Sequence, residues 1–347
     1  MKMDGRFDLL AGCFSRNADK NRLSGQQYGV APERVYDSAE QLLAAEGKRV
    51  DAVVIATPIQ AHAAQISLAL DHGLRVISDK PLVGDTADCQ ALQKRLLAEG
   101  GDIFCIFNYT GYPAVRELRQ RVRSGEIGRV FKVMAEMPQD SFMRLKNQGR
   151  VNAIQEWRLR DGAIGCVTLD LFVHLHSLVN FVCGNRAETV TAWSRSISGV
   201  APGLADEVDA IVHYDDGLVL NAWYGKVALG YRNGLRLRVF GERGSLQWHQ
   251  EDPELLLAAD AEGNRRLIDR ISTDSTVTTE ARYQRFKAGH PAGFIEAFAN
   301  YYFDVADAIR GGAAGPTILP FAVVEEGLRV SDAIHRSSAS GGSVRVT

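Results

Sequence analysis

The sequence has few of the features that mark disulfide-bonded, zinc-binding or membrane-spanning chains. Its five cysteines are scattered, odd in number and without C-x-x-C spacing, which argues for reduced thiols and against a zinc site. No apolar run approaches the roughly 18 residues that a membrane-spanning helix needs. The first residues lack the apolar core of a signal peptide. These absences predict a cytoplasmic protein with no metal and no membrane partner.

An excess of charge of one sign is also missing. Lysine and arginine number 40 and aspartate and glutamate 42, so the formal net charge is −2. This balance implies no surface for a polyanion, and we expect no nucleic-acid partner. With 347 residues, of which 46% are hydrophobic, the chain is long enough for two domains with sizeable cores.

Short apolar runs alternate with helical patterns over residues 1–110. Such alternation is typical of βαβ units and predicts a mostly parallel, Rossmann-like sheet in an N-terminal domain. The helices between the strands begin near polar capping residues or end at glycine. Buried strands are predicted at Phe7–Phe14, Val50–Ala56, Val76–Ser78 and Ile103–Phe107.

A lysine follows the third of these strands. The strand stops at Asp79-Lys80-Pro81, because proline lacks a backbone donor and biases Lys80 towards an extended conformation. Lys80 therefore comes just after the carboxyl end of a strand, where open α/β sheets bind their ligands. The alternative is a solvated surface charge.

Three further groups of residues follow strand ends and are candidates for a cofactor groove. Thr57-Pro58 ends the second strand, and His62 lies near the start of the next helix. These residues also fit a simple turn and a helix N-terminus. Asn108-Tyr109 follows the fourth strand and would face the same crevice. Ser15-Arg16 follows the first strand, where an arginine weakly favours the 2′-phosphate of NADP over NAD; a solvated arginine is the alternative.

The second part of the chain has a different pattern. Closely spaced strands joined by short turns predict a large, mostly antiparallel sheet in an α+β domain at residues 111–320. Residues 321–347 are predicted to form a helix and tail that pack back on the N-terminal domain. The segment Glu251–Thr279 is polar and predicted to be a loop. The strands are predicted at Thr189–Ser194, Asp206–Tyr214, Leu218–Tyr224, Leu235–Phe240 and Ser245–Gln250.

One helix of this domain carries a candidate proton-transfer pair. Asp170 and His174 are four residues apart on an apolar-rich helical stretch, so both side chains lie on one face. Beside a substrate, His174 can move a proton while Asp170 orients it or shares its charge. A capping aspartate and a core histidine are the alternative reading, and His176 is interpreted as structural. Trp157-Arg158 can stack on a ring and bind an oxygen, or can simply pack.

Four ordered motifs of this chain resemble those of the glucose–fructose oxidoreductase and inositol dehydrogenase (Gfo/Idh/MocA) family. Asp79-Lys80-Pro81 is similar to the family's Glu-Lys-Pro, with Asp in place of Glu. Thr57-Pro58-x-x-x-His62 is similar to its Thr-Pro-Asn-x-x-His turn, with Ile59 in place of Asn. Trp157-Arg158 followed by Asp170-x-x-x-His174 resembles its substrate helix. Gly241–Trp248 resembles a segment of its C-terminal domain.

The resemblance implies a Rossmann domain and an open-faced α/β domain. It also implies that Lys80 contacts both cofactor and substrate, and that Asp170 and His174 are the other polar catalytic residues. The sequence lacks the family's glycine-rich G-x-G-x-x-G turn, which receives the dinucleotide pyrophosphate. Its first strand corresponds to the family's second, so we expect the first strand and helix to be absent and NAD(P) binding to be weak.

We expect an oxidoreductase that moves a hydride between NAD or NADP and a hydroxyl carbon of a sugar-like or cyclitol substrate. Substrate contacts are expected from Lys80, Tyr109, Trp157-Arg158, Asp170 and His174. One alternative is a cofactor-independent lyase or aldolase-like enzyme acting on a sugar acid, and another is an inactive partner subunit. An exposed apolar sheet face after Glu188 would need a partner, so we expect a homo-oligomer.

Overall fold

A computed structural model describes residues 1–311 and 315–347. The chain divides into two units, and the first is built on parallel strand pairing. In unit 1, the strands β1 (Ala52–Ile55), β2 (Arg75–Ser78) and β3 (Ile103–Cys105) pair in the order β1-β2-β3, all parallel. Unit 1 comprises Met1–Val83, Ala87–Ile106 and Tyr302–Phe321. The predicted alternation of strands and helices is thus confirmed.

Polar capping residues begin the first helices. The Asn17 side chain accepts a hydrogen bond from the backbone N–H of Lys20, and the Ser38 side chain accepts one from that of Gln41. These bonds satisfy amide donors that have no partner inside a helix. The helices of this part of the chain are α1 (Ala18–Tyr28), α2 (Ala39–Glu46), α3 (His62–Asp71) and α4 (Thr86–Glu99).

The predicted strand Phe7–Phe14 is wrong. In the described residues it makes one isolated parallel bridge, between Gly12 and Val35, which no pairing joins to the three-stranded sheet. The Phe14 amide donates instead to Oδ1 of Asn21 at 2.7 Å, so the chain leaves the extended ladder at this point. Strand β1 is consequently an edge strand, and its Val54 is 36% exposed although the sequence predicts burial.

Unit 2 comprises Gly84–Thr86, Phe107–Tyr301 and Ala322–Thr347. Its nine-stranded sheet has the order β11-β10-β9-β8-β4-β7-β6-β5-β12 in the described residues. All of its pairings are antiparallel except β4 with β7. The strands are β4 (Val130–Pro138), β5 (Ala187–Arg195), β6 (Glu207–Tyr214), β7 (Val219–Gly225), β8 (Arg236–Gly241), β9 (Gly244–His249), β10 (Leu256–Asp260), β11 (Arg265–Ile268) and β12 (Val344–Arg345). The predicted mostly antiparallel sheet is confirmed.

The two faces of this sheet differ. Along β4, Val133, Ala135 and Met137 are buried, whereas Met134 and Glu136 between them are partly exposed, which is the period-2 pattern of a sheet with one covered face. Helix α7 packs against β4 and against α5. The later helices are α5 (Pro113–Arg123), α6 (Ser141–Asn147), α7 (Val173–Cys183), α8 (Phe294–Ile309) and α9 (Phe321–Ser340). None of the helices in the described ranges has the length and apolar character that crossing a bilayer requires.

Two further expectations differ from the structure. The segment Glu251–Thr279, predicted as a loop, contains β10 and β11, which pair antiparallel. The period-2 signal there is short: Leu256 and Ala258 are buried, and their neighbours on β10 are only partly covered. Polar residues surround these few apolar positions, so the sequence pattern alone did not indicate a strand.

The C-terminal residues belong to unit 2, whereas the sequence predicts that they pack on the N-terminal domain. Glu326 of α9 accepts a hydrogen bond from the Ala187 amide at 2.8 Å, and Ser337 accepts one from Ala192 at 2.9 Å. Strand β12 then pairs with β5. Conversely, Tyr302–Phe321 belong to unit 1, where Asp307 forms an ion pair with Arg6 at 2.7 Å.

Candidate active site

A π-helical turn carries the first candidate residue of unit 2. The segment Thr168–Phe172 is π-helical and runs directly into α7, whereas the sequence predicts a single regular helical stretch carrying Asp170 and His174. Such turns are rare and frequently occur at functional sites. Asp170 lies in this turn and His174 in the first turn of α7, and both side chains are buried.

Among the described residues, the cationic side chains of Lys226 and Arg158 contact the Asp170 carboxylate. Lys226 Nζ lies 2.8 Å from Oδ2, and Arg158 Nε lies 3.2 Å from the same oxygen. The Lys226 side chain is 4% exposed and that of Arg158 is 33% exposed. A buried carboxylate is stable as an ion only when it is paired, so this arrangement favours the charged form of Asp170.

Strand pairing places Lys226 at this site. Lys226 follows β7, whose end Gly225 pairs with Pro138 at the end of the parallel strand β4. Lys226 Nζ donates to Oε1 of Gln139, the next residue after β4, at 3.0 Å. Sequence reasoning missed Lys226, although the signal that identified Lys80, a lysine directly after an apolar strand, is present here too.

A chain of hydrogen bonds continues from Gln139 to an aromatic residue. Gln139 Nε2 donates to Oδ1 of Asn233 at 2.8 Å, and Asn233 Nδ2 donates to the Tyr109 hydroxyl oxygen at 2.9 Å. Burial raises the pKa of Tyr109 to about 12, and the hydrogen bond from Asn233 acts against this rise. The phenol is therefore neutral near pH 7.

The Tyr109 ring brings this network to the histidine. It lies edge-on to the His174 imidazole, with ring centroids 4.7 Å apart and planes at 86°. The Phe107 ring is also edge-on to His174, at 6.5 Å. Asn108, between these two aromatic residues, is 3% exposed, and its Nδ2 has no hydrogen-bond partner within the described part of the chain. A buried amide donor of this kind is suited to a ligand oxygen.

The structure brings Arg158 but not the Trp157 indole nitrogen to Asp170. Trp157 Nε1 donates to Gln155, and the Arg158 guanidinium lies 4.8 Å above the indole ring. His176 has different surroundings, since its Nε2 lies 3.7 Å from Glu326. Burial lowers the pKa of His176, which is consistent with the structural role expected from the sequence.

In unit 1, His62 connects two strand ends. Its Nε2 lies 2.8 Å from the Thr57 carbonyl after β1, and its Nδ1 lies 3.1 Å from the Pro81 carbonyl in the loop after β2. The Asp79 amide also donates to the Ile55 carbonyl at 2.8 Å. The buried imidazole therefore supports the loop that carries Lys80.

The remaining candidates of unit 1 lie on loops. Pro58 directly precedes a single 3₁₀ turn, Ile59–Ala61. Ser15 accepts a hydrogen bond from the Asn17 amide at the start of α1, and Arg16 is exposed. All five cysteines carry free thiols. Within residues 1–311 and 315–347, no group of three or more His, Cys, Asp or Glu side chains is arranged to hold a metal ion.

Two family models match this chain. Residues 2–107 match the oxidoreductase family with an NAD-binding Rossmann fold, Gfo/Idh/MocA. Residues 115–247 match the C-terminal domain of the same family. The matches follow each other along the chain; the first includes the three-stranded sheet, and the second includes β4 to β8 and most of β9 of the large sheet.

Relatives that align with this chain over most of their length agree with these models. The uncharacterized oxidoreductase YfiI of Bacillus subtilis is 27% identical over 310 residues, which cover 87% of this chain and 78% of that protein. The structure of an oxidoreductase from Sinorhizobium meliloti is 32% identical with a TM-score of 0.87, over 99% of this chain and 94% of that one. An inositol dehydrogenase homolog from Azotobacter vinelandii, complexed with NADH and myo-inositol, is 26% identical with a TM-score of 0.87, over 98% and 90%. The chain therefore belongs to the Gfo/Idh/MocA family of oxidoreductases.

Proposed function

We propose that this protein transfers a hydride between NAD or NADP and a hydroxyl carbon of a sugar-like or cyclitol substrate. The observation that carries the proposal is the buried polar cluster of unit 2, in which Asp170 is paired with Lys226 and His174 lies against Tyr109. A structural relative with bound NADH and myo-inositol supports the same substrate class. The family resemblance adds Lys80 as a catalytic residue.

Oxidation of an alcohol needs an acceptor for the hydroxyl proton as the hydride leaves. We propose His174 for this role, because imidazole exchanges protons near neutral pH. Tyr109 stays neutral and, together with the Asn108 amide, can donate hydrogen bonds to substrate oxygens. Asp170 carries a negative charge that pairs with Lys226 and with Arg158. Trp157 and Arg158 are proposed to complete the substrate contacts.

Part of unit 1 fits a dinucleotide. Parallel strands β1 and β2 end at one edge of the sheet, and the loops there carry Thr57-Pro58 and Lys80, supported by His62. These residues would hold the nicotinamide end, with Ser15-Arg16 near the adenosine ribose and Asn108 as a further contact. When bound, the nicotinamide would supply or accept the hydride. The sequence contains no glycine-rich turn of the kind that receives a pyrophosphate.

The test is an assay of nicotinamide absorbance with NAD and NADP against a panel of cyclitols and anhydro-sugars, including myo-inositol. We expect turnover of at least one polyol, and Asp170→Asn should lower kcat/KM for it by about 10² or more. Calorimetry with NADH and NADPH measures cofactor affinity separately. Bound cofactor without turnover of any polyol would contradict the proposed function, and micromolar affinity would contradict the expected weak binding.

We also propose that the chain forms a homo-oligomer through the uncovered face of its large sheet. A broad depression of about 790 Å³ lies on this face, lined partly by Trp193 and Trp223. Trp193 is 51% exposed, while Arg195 beside it pairs with Asp209 at 3.0 Å. A patch with apolar rings and charges of both signs can complement a second copy of itself across a two-fold axis.

We further propose a cytoplasmic protein with a dinucleotide-binding domain at 1–110 and a substrate and oligomerisation domain at 111–320.

Trp193→Asp should dissociate this oligomer. An aspartate at the interface would have to be buried without a partner, which opposes association. Light scattering at micromolar concentration measures the mass of the wild type and the variant. Leu97→Asp, at an 83% exposed position of α4, is the control and should leave the mass unchanged. A wild-type monomer would contradict the proposal.

A further inference from the structure

Lys226 contacts both the Asp170 carboxylate and Gln139, the first member of the hydrogen-bond chain that leads to Tyr109. We infer that Lys226 is a positioning residue, which fixes the Asp170 carboxylate and orients a hydrogen-bond chain so that Tyr109 donates to a substrate oxygen. The inference rests on the proposed function and deepens it. According to this inference, Lys226 keeps Asp170 charged and also makes Tyr109 a hydrogen-bond donor.

The backbone holds Lys226 in place. Its amide donates to the Asp206 carbonyl at 2.8 Å, and its carbonyl accepts from the Phe142 amide at 2.9 Å. Gly225 before it has no room for a side chain, because a Cβ there would lie 2.7 Å from the Asp206 carbonyl oxygen. These backbone contacts therefore fix the position of the Lys226 ammonium after the end of β7, between Asp170 and Gln139.

Burial makes Lys226 a stronger partner of Asp170 than Arg158 is. Its ammonium is almost fully withdrawn from water, whereas a third of the Arg158 side chain remains exposed. The attraction between opposite charges grows as the surroundings become less polar. Loss of Lys226 would remove the more deeply buried of these two cations from Asp170, and the carboxylate would then bind a proton more readily.

The ammonium also sets the direction of the hydrogen-bond chain. Lysine can only donate, so the oxygen of Gln139 must face Lys226 and its NH₂ group must face Asn233. The oxygen of Asn233 is thereby occupied, and its NH₂ group donates to the Tyr109 oxygen. The Tyr109 proton has no acceptor among the residues that the structure describes, and it remains for a substrate oxygen.

The other groups that face Asp170 do not compete for this role. Burial raises the pKa of the Cys166 thiol to about 12, and Asp170 and Asp161 add to the rise. The Tyr109 phenol is neutral for the same main reason. Lys226 and Arg158 are thus the cationic side chains that form ion pairs with Asp170, while His174 follows one turn later on the helix.

The test compares Lys226→Met with Lys226→Arg. We expect Lys226→Met to lower kcat/KM by about 10²-fold, as for a misplaced catalytic group, and to move the acid limb of its pH profile to higher pH. Lys226→Arg should restore most of the activity because it keeps the charge. Lys146→Met removes an exposed lysine whose Nζ donates to the Ser198 carbonyl, away from Asp170, and it should have no effect.

A double-variant cycle tests the connection to Tyr109. Tyr109→Phe should raise KM, and adding Lys226→Met should cost less than the sum of the two single effects, since both act on one donor. Additive effects would overturn this part of the inference. If Lys226→Met does not fold, the same cycle is measured in the Asp170→Asn background. Adding Lys226→Met there removes the second buried charge, so that neither charge is left unpaired.

A second readout needs no substrate. Infrared spectra of protein labelled with ¹³C-aspartate, with Asp170→Asn for assignment, report the pH at which this carboxylate is protonated. We expect a higher pH in Lys226→Met than in the wild type and Lys226→Arg. An unchanged titration would overturn the inference even in an active enzyme. A wild type that turns over no polyol would instead count against the proposed function, and the infrared result would still decide the role of Lys226.

Discussion

Replacement of His174 by alanine is expected to lower turnover by about 10²–10⁴, the usual contribution of a general acid or base. The imidazole lies 4.7 Å from the Tyr109 ring and is one turn along the helix from Asp170. Removing it leaves the substrate hydroxyl without the proposed proton acceptor. Lys80→Ala should lower turnover to a comparable degree.

The matched control is the neighbouring histidine. His176 is buried against Glu326 and Gly327, so His176→Ala should lower the thermal midpoint while turnover per folded molecule is kept. Activity and melting temperature are measured for each variant. A His174→Ala protein that keeps full turnover but melts several degrees lower would assign His174 to the core.

The second large effect is expected from Gly111→Ala. Gly111 closes the 3₁₀ turn Asn108–Gly111, and a Cβ there would lie 2.0 Å from the Ala297 carbonyl oxygen of α8. The obstacle is backbone, so it cannot rotate away as a side chain would. The same contact includes a hydrogen bond from Asn300 Nδ2 to the Gly111 carbonyl at 2.8 Å. We expect a loss of about 3 kcal/mol in the free energy of unfolding, the upper part of the usual range for overpacking.

Because this turn carries Tyr109 and Asn108, the variant should also lose substrate affinity at temperatures where it is still folded. Gly342→Ala is the control, since a Cβ there meets no atom within 4 Å and its backbone φ is not positive. That substitution should be neutral or slightly stabilising. Thermal and denaturant unfolding measure both. Equal stability of Gly111→Ala and the wild type would show that α8 can shift without cost.

The sequence by itself determined the features that depend on neighbouring residues. Proline after Lys80 ends a strand, Asn17 and Ser38 cap helices, and alternating apolar runs become parallel strands β1 to β3. Closely spaced strand segments joined by short turns likewise predicted most of the large sheet. These signals act within a few residues, so they can be read without knowing the fold.

The sequence pattern gave a wrong prediction where hydrogen bonding to a neighbouring strand decides whether a segment forms a strand. Phe7–Phe14 has the composition of a strand, yet a strand exists only when a neighbour supplies successive hydrogen bonds, and the described chain supplies them at Gly12 alone. The π-helical turn at Asp170 was missed because one shifted hydrogen-bond register leaves no clear mark in the apolar spacing.

Only the tertiary structure decided the partners within the candidate site. Asp170 and His174 were identified from their helical spacing, but Lys226, the more deeply buried of the two described cations, comes from the end of β7. Parallel pairing of β4 and β7 brings Gln139 to Lys226 across 87 residues of sequence. No local pattern encodes such a contact, because it arises from the order of strands in the sheet and from the burial that makes an unpaired charge unstable.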